Sequence, residues 1–180
     1  MRQFEGEKLR SIDFHIGVDL PRKLASYVEA GERVLLGGRP GHGKTVLAMR
    51  AFPNGYLVDK RDEVLTGKTP GGCVLPSAQE RWAARTGSTL IIDETQLLAA
   101  AGLAQLIEQV NSAGRGYVAI VQMHRPATST RQGDWMESVA VDRALQMMSS
   151  GGREVRIIAL EERLRGDEFS WSERVFRPRR

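Results

Sequence analysis

One stretch of the chain combines glycines, a lysine and a threonine at the spacing of a phosphate-binding loop. Three apolar residues at 34–36 lead into the pattern Gly38-x-x-x-x-Gly43-Lys44-Thr45. Glycines in such a loop allow successive backbone N–H groups to converge on phosphate oxygens. Lys44 would carry its ammonium to the β- and γ-phosphates, and Thr45 would place a hydroxyl on Mg²⁺. The expected ligands are therefore ATP and Mg²⁺.

The elements around this loop decide between a nucleotide site and a simple turn. A strand should precede the loop, and a helix from Thr45 to about residue 52 should point its positive dipole end at the phosphates. The alternative is a glycine-rich turn that binds nothing, but the order strand, loop, Lys-Thr and helix favours the nucleotide site. His42 has no role in this prediction and is interpreted as a variable position. The expected nucleotide-binding residues are Gly38, Arg39, Pro40, Gly41, His42, Gly43, Lys44, Thr45 and Val46.

A second acidic site follows the apolar run at 90–92, which is typical of a strand buried on both faces. Asp93 would hold Mg²⁺ through water beside Thr45, as a Walker B acid does. Glu94 is the natural base for polarising an attacking water. The acid pair could instead cap a helix, but the upstream phosphate loop favours the catalytic interpretation. Together with Lys44, these residues predict hydrolysis of the bound nucleotide.

Two further candidate catalytic residues flank the next predicted strand, at 117–121. Gln122, at its end, could hydrogen-bond the γ-phosphate or the attacking water, or it could be only a polar residue at a strand end. Arg115 precedes the strand and is therefore expected at the opposite end from its own phosphate loop. From there it could stabilise charge in the site of a neighbouring subunit. The alternative for Arg115 is a solvated arginine in a turn.

Strands and helices are predicted to alternate along the chain. The predicted strands lie near 12–18 and at 34–36, 56–59, 90–92, 117–121, 155–160 and 169–176. The predicted helices cover 24–29, 45–52, 80–85, a segment from 95 to about 110, and 136–148 with Asp134 as N-cap, whereas 66–77 is a predicted loop. This alternation predicts an α/β fold, a mostly parallel sheet with helices on both faces and ligands at the carboxyl ends of the strands. We expect one domain over 1–180, with an N-terminal extension at 1–31 and a basic hairpin or tail at 166–180.

Composition narrows the class of protein. The 180 residues are 41% apolar and 27% charged, with a net charge of +4, which is ordinary for a globular domain. The single cysteine, Cys73, excludes an internal disulfide and fits a reducing compartment. No run approaches the ~18 apolar residues of a membrane span, and the first residues lack the apolar core of a signal peptide. The expected location is cytoplasmic, with no integral membrane segment. The arginines near the C-terminus could contact a polyanion or be solvated.

Taken together, these motifs resemble the ATPase core of the FtsK/HerA superfamily, most closely that of TraD-type coupling proteins of conjugation. The resemblance covers roughly 12–165 and rests on the phosphate loop, the acid pair, Asp59-Lys60 after the second predicted strand, and Gly114-Arg115 before a strand ending in Gln122. The family has Asp-x-Lys where this chain has Asp59-Lys60. It has Thr-Gln-x-Pro or Thr-Gln-Arg-Pro where this chain has Val-Gln-Met-His-Arg-Pro at 121–126. Phage assembly ATPases similar to the zonula occludens toxin share this core.

This resemblance implies a RecA/FtsK-like P-loop NTPase that assembles into a homo-oligomeric ring, with a hexamer favoured, and acts on DNA or on a DNA-transfer or phage-assembly complex. It also implies that Arg115 is a finger acting in trans. Coupling proteins carry membrane helices and a large inserted helical domain for which this chain has no room, so a nucleotide-dependent adaptor or switch with slow hydrolysis is the alternative. A small-molecule kinase would need an acceptor lid, for which only 60–77 is a candidate, and has less need of Glu94. The lack of an Asn-Lys-x-Asp motif disfavours a GTPase.

Overall fold

The computed structural model describes residues 13–15, 20–67, 74–123, 139–163 and 169–178. The strands are β1 (Asp13–His15), β2 (Arg33–Gly38), β3 (Tyr56–Val58), β4 (Leu90–Ile92), β5 (Tyr117–Gln122), β6 (Val155–Arg163) and β7 (Phe169–Phe176). The helices are α1 (Leu20–Glu29), α2 (Lys44–Ala51), α3 (Arg61–Leu65), α4 (Ala78–Arg85), α5 (Ala100–Ser112) and α6 (Val139–Met148). A short 3₁₀ helix covers Thr95–Leu97.

The described strands form one sheet in the order β1-β7-β6-β2-β5-β4-β3. Strands β6, β2, β5, β4 and β3 are parallel to one another, whereas β7 runs antiparallel to β6 and β1 antiparallel to β7. All five parallel strands therefore end at the same edge of the sheet. Strand β5 lies between β2, which leads into the phosphate loop, and β4, which leads into the acid pair. The predicted α/β fold with a mostly parallel sheet is confirmed.

Both faces of the sheet are covered by helices. Side chains alternate along a strand, so Val34 and Leu36 of β2 pack on one face with Leu24 of α1 and Leu47 of α2. Leu35 faces the other way, into a second apolar cluster that includes residues of α4, α5 and α6. Each fully buried leucine of this kind contributes about 1.5–3 kcal/mol by leaving water. The two clusters hold the central strands in place and fix the loops at their carboxyl ends.

Several helix boundaries differ from the prediction for local reasons. Helix α1 begins at Leu20, four residues before the predicted start, because Pro21 has its φ already set for a first helical turn. Helix α3 was not predicted, since none of its residues is buried and no apolar face marks it. Helix α4 begins earlier than predicted, because Ser77 and Glu80 form a capping box in which each side chain accepts from the other's backbone N–H.

The helix predicted from Thr95 onward starts later. Leu98 has an extended backbone and pairs with Val74 in an isolated bridge, and the N–H of Ala99 donates to the carbonyl of Val74 at 2.9 Å. This pairing interrupts the helical path between the 3₁₀ turn and α5. Strand β7 pairs antiparallel with β6, and β1, in the segment near 12–18 where the sequence predicted a strand, forms the edge of the sheet outside β7. Cys73, residues 124–126 and the proposed N-cap Asp134 lie outside the described residues.

Candidate functional site

The phosphate loop connects the end of β2 to the start of α2 in a tight path. Gly43 precedes α2 with φ 70° and ψ 20°, a left-handed conformation that strains residues with a side chain. A Cβ on Gly38 would lie 3.1 Å from Cβ of Leu160 and 3.2 Å from its carbonyl oxygen. No side chain of the described residues caps the start of α2, so its first N–H groups remain available to an anion. The loop therefore has the local geometry that phosphate binding requires.

Lys44 lies at the centre of this loop. The residue is only 6% exposed, and Nζ donates to the carbonyls of Gly38 and Arg39 at 3.0 Å each. Burial lowers the pKa of Lys44, whereas the nearby charges of Glu94 and Asp93 raise it. The ammonium is thus held over the loop by backbone oxygens. Phosphate oxygens could replace these carbonyls as its partners without a large movement of the side chain.

The remaining loop residues surround this lysine. Arg39 and Pro40 are exposed, as is Val46 on the first turn of α2. His42 is half-buried, and its backbone N–H donates to the carbonyl of Arg39 at 3.3 Å. Burial lowers the pKa of the His42 imidazole, so neutrality is favoured next to Lys44.

Thr45 connects the loop to the acid pair. Its Oγ1 donates to Oδ2 of Asp93 at 2.7 Å, although the two residues are 48 positions apart. Asp93 is 1% exposed, and its other oxygen accepts from the backbone N–H of Glu94 at 2.9 Å. Burial raises the pKa of Asp93, and the Thr45 hydrogen bond and the charge of Arg61 oppose that rise. The structure thus brings together the two residues that the sequence assigned to the metal.

A hydroxyl and a carboxylate are the hard oxygen ligands that suit Mg²⁺, which in phosphate sites usually takes one or two carboxylates, water and phosphate oxygens. Within the described ranges, no group of three or more His, Cys, Asp or Glu side chains could hold a metal ion. Thr45 and Asp93 therefore fit a metal that arrives with a phosphate ligand rather than a permanent metal site.

Glu94 has an unusual backbone at the edge of the site. With φ 48° and ψ 58° it is the one non-glycine residue with positive φ among those described. Its carboxylate accepts from Nε2 of Gln122 at 3.0 Å through Oε1 and from Nε2 of Gln96 through Oε2. Strained residues of this kind cluster at functional sites. The conformation turns the chain sharply after Asp93 and places the carboxylate next to the end of β5.

Gln122 is positioned by strand pairing. In the register of β2 and β5 it is the partner of Gly38, and the N–H of the next residue, Met123, donates to the Gly38 carbonyl at 3.1 Å. Since β5 lies between β2 and β4, Gln122 lies between the phosphate loop and Glu94. The sequence predicted Gln122 at the end of this strand. Whether Gln122 contacts phosphate or water stays a prediction.

Arg61 is a member of the site that the sequence prediction missed. Its Nε donates to both carboxylate oxygens of Asp59, at 3.0 and 2.9 Å, and its Nη2 lies 3.1 Å from Oδ2 of Asp93. These hydrogen bonds lower the pKa of Asp59 and raise that of Arg61. The signal in the sequence was Asp-x-Arg directly after a strand, at the edge where the other site residues end.

Lys60, which lies between Asp59 and Arg61 in the sequence, points away from the site. Its side chain is 2% exposed, and Nζ lies 2.7 Å from Glu63 and 2.8 Å from Glu80. Lys60 therefore ties α3 to the start of α4 and helps to fix the position of Arg61.

Arg115 lies at the other edge of the sheet, as expected. It precedes Tyr117, which pairs with Arg33 at the start of β2. Its guanidinium donates to the carbonyl of Ser88 at 2.8 Å and to that of Ala84 at the end of α4. In this subunit Arg115 therefore holds the end of a helix and is not a solvated residue in a turn. Its action on a neighbouring subunit stays a prediction.

Comparison with known proteins finds similarity to solved structures only. No family model matches the chain, and no curated protein matches it. Among solved structures, the crystal structure of the DnaC helicase loader is similar over 75% of this chain and 84% of that chain, with 16% sequence identity and a TM-score of 0.45. Within the described ranges, no helix has the length and apolarity to cross a membrane. The structure places the glycine-rich loop, Lys44, Thr45 and the acid pair at one edge of the sheet.

Proposed function

We propose that the chain is a Mg²⁺-dependent P-loop ATPase. The observation that carries this proposal is the 2.7 Å hydrogen bond from Thr45 to Asp93, which joins the phosphate loop to the acid that follows β4. A glycine-rich turn without a ligand gives no reason for a buried carboxylate and a buried ammonium to face the same loop. Both groups are costly to bury, and a triphosphate with its metal is the ligand that uses both.

Binding would rest on the backbone and on one side chain. The N–H groups of the loop and of the first turn of α2 would donate to the β- and γ-phosphates. Lys44 would exchange its bonds to the carbonyls of Gly38 and Arg39 for bonds to phosphate oxygens, which are stronger because both partners are charged. Thr45 and Asp93 would hold the Mg²⁺ ion, which when bound neutralises charge on the phosphates.

Hydrolysis would depend on Glu94. In the proposed step, the oxygen of a water attacks the γ-phosphorus, the bond from phosphorus to the bridging oxygen of ADP breaks, and Glu94 accepts the proton of the water. Gln122 would orient this water or bind the γ-phosphate, since its amide already contacts Glu94. The products are ADP and inorganic phosphate.

The finer proposal is a motor-type ATPase similar to the FtsK/HerA superfamily and to TraD-type coupling proteins, forming a cytoplasmic ring that acts on DNA or on a DNA-transfer or phage-assembly complex. The phosphate loop, the acid pair and the Gly114-Arg115 turn support it, and so does the position of Arg115 at the edge of the sheet opposite the phosphate loop. In a ring, that edge could face the nucleotide of the next subunit.

A second candidate function is a nucleotide-dependent switch with slow hydrolysis. The observation that favours it is the state of Glu94, whose two carboxylate oxygens are both engaged by the amides of Gln122 and Gln96. A base held in this way must reorient before it can accept a proton from water. The switch would bind ATP tightly and turn it over rarely.

Steady-state ATP hydrolysis with and without single- and double-stranded DNA tests these proposals, alongside a measurement of mass in solution. The ATPase proposal predicts Mg²⁺-dependent phosphate release that Lys44→Ala abolishes. Stimulation by DNA in an oligomer supports the motor, whereas a slow rate that DNA does not change supports the switch. Phosphate release that Lys44→Ala leaves intact would contradict both.

A further inference from the structure

Arg61 is placed on the carboxylate that the proposed metal needs. Its Nη2 lies 3.1 Å from Oδ2 of Asp93, the same oxygen that accepts from Thr45. A water that bridged a metal to Asp93 would itself have to lie about 2.7–2.8 Å from a carboxylate oxygen. The guanidinium nitrogen thus occupies space next to Asp93 that such a water would use.

The two partners of Asp93 differ in what they allow. A threonine hydroxyl can donate its proton to Asp93 and still offer an oxygen lone pair to a metal. A guanidinium has only donors and a permanent positive charge, so at 3.1 Å from Asp93 it repels a divalent cation. The bond from Thr45 is therefore compatible with a bound metal, whereas the approach of Arg61 is not.

Arg61 also has a second partner that can retain it. Both carboxylate oxygens of Asp59 accept from Nε of Arg61, and one of them also accepts from the backbone N–H of Arg61 at 3.0 Å. The side chain of Arg61 is 46% exposed and that of Asp59 28%, so both have room to move. Arg61 could leave Asp93 and keep most of its hydrogen bonds.

We propose that Arg61 is a built-in counter-cation of the metal site, which pairs with Asp93 when no metal is bound and withdraws to Asp59 when the metal arrives with a nucleotide. This inference rests on the proposed function, since it assumes that Thr45 and Asp93 hold Mg²⁺. Arg61 is a positioning residue and not a catalytic one. Its effect is to weaken the binding of free divalent cations, so that the site fills only when phosphate oxygens add their own charge.

The test uses Mn²⁺ as a paramagnetic substitute for Mg²⁺. Electron paramagnetic resonance measures the binding of Mn²⁺ to the nucleotide-free protein. Arg61→Gln should bind Mn²⁺ about fivefold more tightly than the unmodified protein. Fivefold is the upper end of the effect expected from an ion pair in which one partner, here Arg61, is half-exposed. Asp59→Asn should bind it more weakly, because Arg61 then has Asp93 as its main partner. Arg85→Gln removes an exposed arginine from the last turn of α4 and is the matched control.

A second measurement uses a fluorescent ADP analogue at fixed concentration and varies Mg²⁺. The midpoint of the Mg²⁺ dependence should fall about fivefold in Arg61→Gln and in Arg61→Ala, and remain unchanged in Arg85→Gln. Equal or weaker metal binding in both Arg61 variants would overturn the inference. If the unmodified protein failed to bind the analogue at all, the proposed function would fail instead, so the two outcomes are distinguishable.

Discussion

Gln122 and Glu94 meet at 3.0 Å at the carboxyl edge of the sheet, one at the end of β5 and the other just beyond the adjacent strand β4. This contact joins Gln122, which lies next to the phosphate loop, to Glu94, the proposed base. The parallel register of β4 and β5 makes it possible, because Ile92 pairs with Ala119 and both chains then continue toward the same edge.

Removing the amide of Gln122 should therefore affect turnover more than binding. We expect Gln122→Ala to lower the rate of ATP hydrolysis about tenfold or more, because the orientation of water and base is lost. Its affinity for a non-hydrolysable ATP analogue should change little. Gln105→Ala, an exposed glutamine on α5, is the control. An equal loss of affinity and rate in Gln122→Ala would assign this residue to binding alone.

The left-handed backbone of Glu94 gives a prediction on stability that is separate from its chemistry. Glycine adopts this conformation without strain, whereas alanine does not. Glu94→Gly should thus be more stable than Glu94→Ala by about 1 kcal/mol in the free energy of unfolding measured with urea. Both variants lack the carboxylate and should lack turnover. If Glu94→Ala were the more stable of the two variants, the backbone at position 94 would not be strained.

Arg115 should contribute to stability even in a single subunit. Arg115→Ala removes its donors to the carbonyls of Ala84 and Ser88 and should lower the free energy of unfolding by about 1–2 kcal/mol. The trans role makes a further prediction, which mixing of subunits tests. Combining Arg115→Ala with Lys44→Ala subunits should restore part of the ATPase activity. No recovery at any ratio would speak against a shared site.

The stability of the fold should depend on pH through Glu173. Burial opposes the charge of this carboxylate, but hydrogen bonds with Lys23 and Tyr27 and the charge of Arg156 outweigh burial and lower its pKa below 4.5. Its contribution is therefore fully present above pH 4.5 and is lost as the pH falls through the lower pKa of the folded state.

Glu173→Gln should consequently lower the free energy of unfolding by about 1–3 kcal/mol near pH 7. This difference from the unmodified protein should shrink as the pH falls below 4.5. Chemical unfolding at a series of pH values measures it. A difference that grows at acidic pH would contradict the account of this ion pair.

Much of the fold and the site followed from local patterns in the sequence. The apolar run at 90–92 identified a strand buried on both faces, and the loop motif fixed the positions of Lys44 and Thr45. Parallel strands place the residues at their carboxyl ends at one edge of the sheet, which predicted that Gln122 and Asp93 lie at the same edge. These predictions succeeded because each depends on residues that are close in the sequence, together with a general property of parallel sheets.

What the sequence did not show depends on contacts between distant segments. Arg61 was missed because its role comes from its contact with Asp93, 32 positions later. The Asp-x-Arg pattern after β3 marks only its place at this edge of the sheet. The interruption at Leu98 was missed because it comes from pairing with Val74. The left-handed backbone of Glu94 was also unexpected, since glutamate gives no signal for positive φ.

The proposed function depends most on two properties, the binding of ATP by the loop and the activation of water by Glu94. The most direct measurement is a single-turnover experiment with Glu94→Gln, which follows ATP binding and phosphate release in the same sample. We expect Glu94→Gln to bind ATP with an affinity within a few-fold of that of the unmodified protein and to release phosphate about 10²-fold more slowly or slower still. Phosphate release at a near-normal rate, or the loss of ATP binding by Glu94→Gln, would contradict the proposed function.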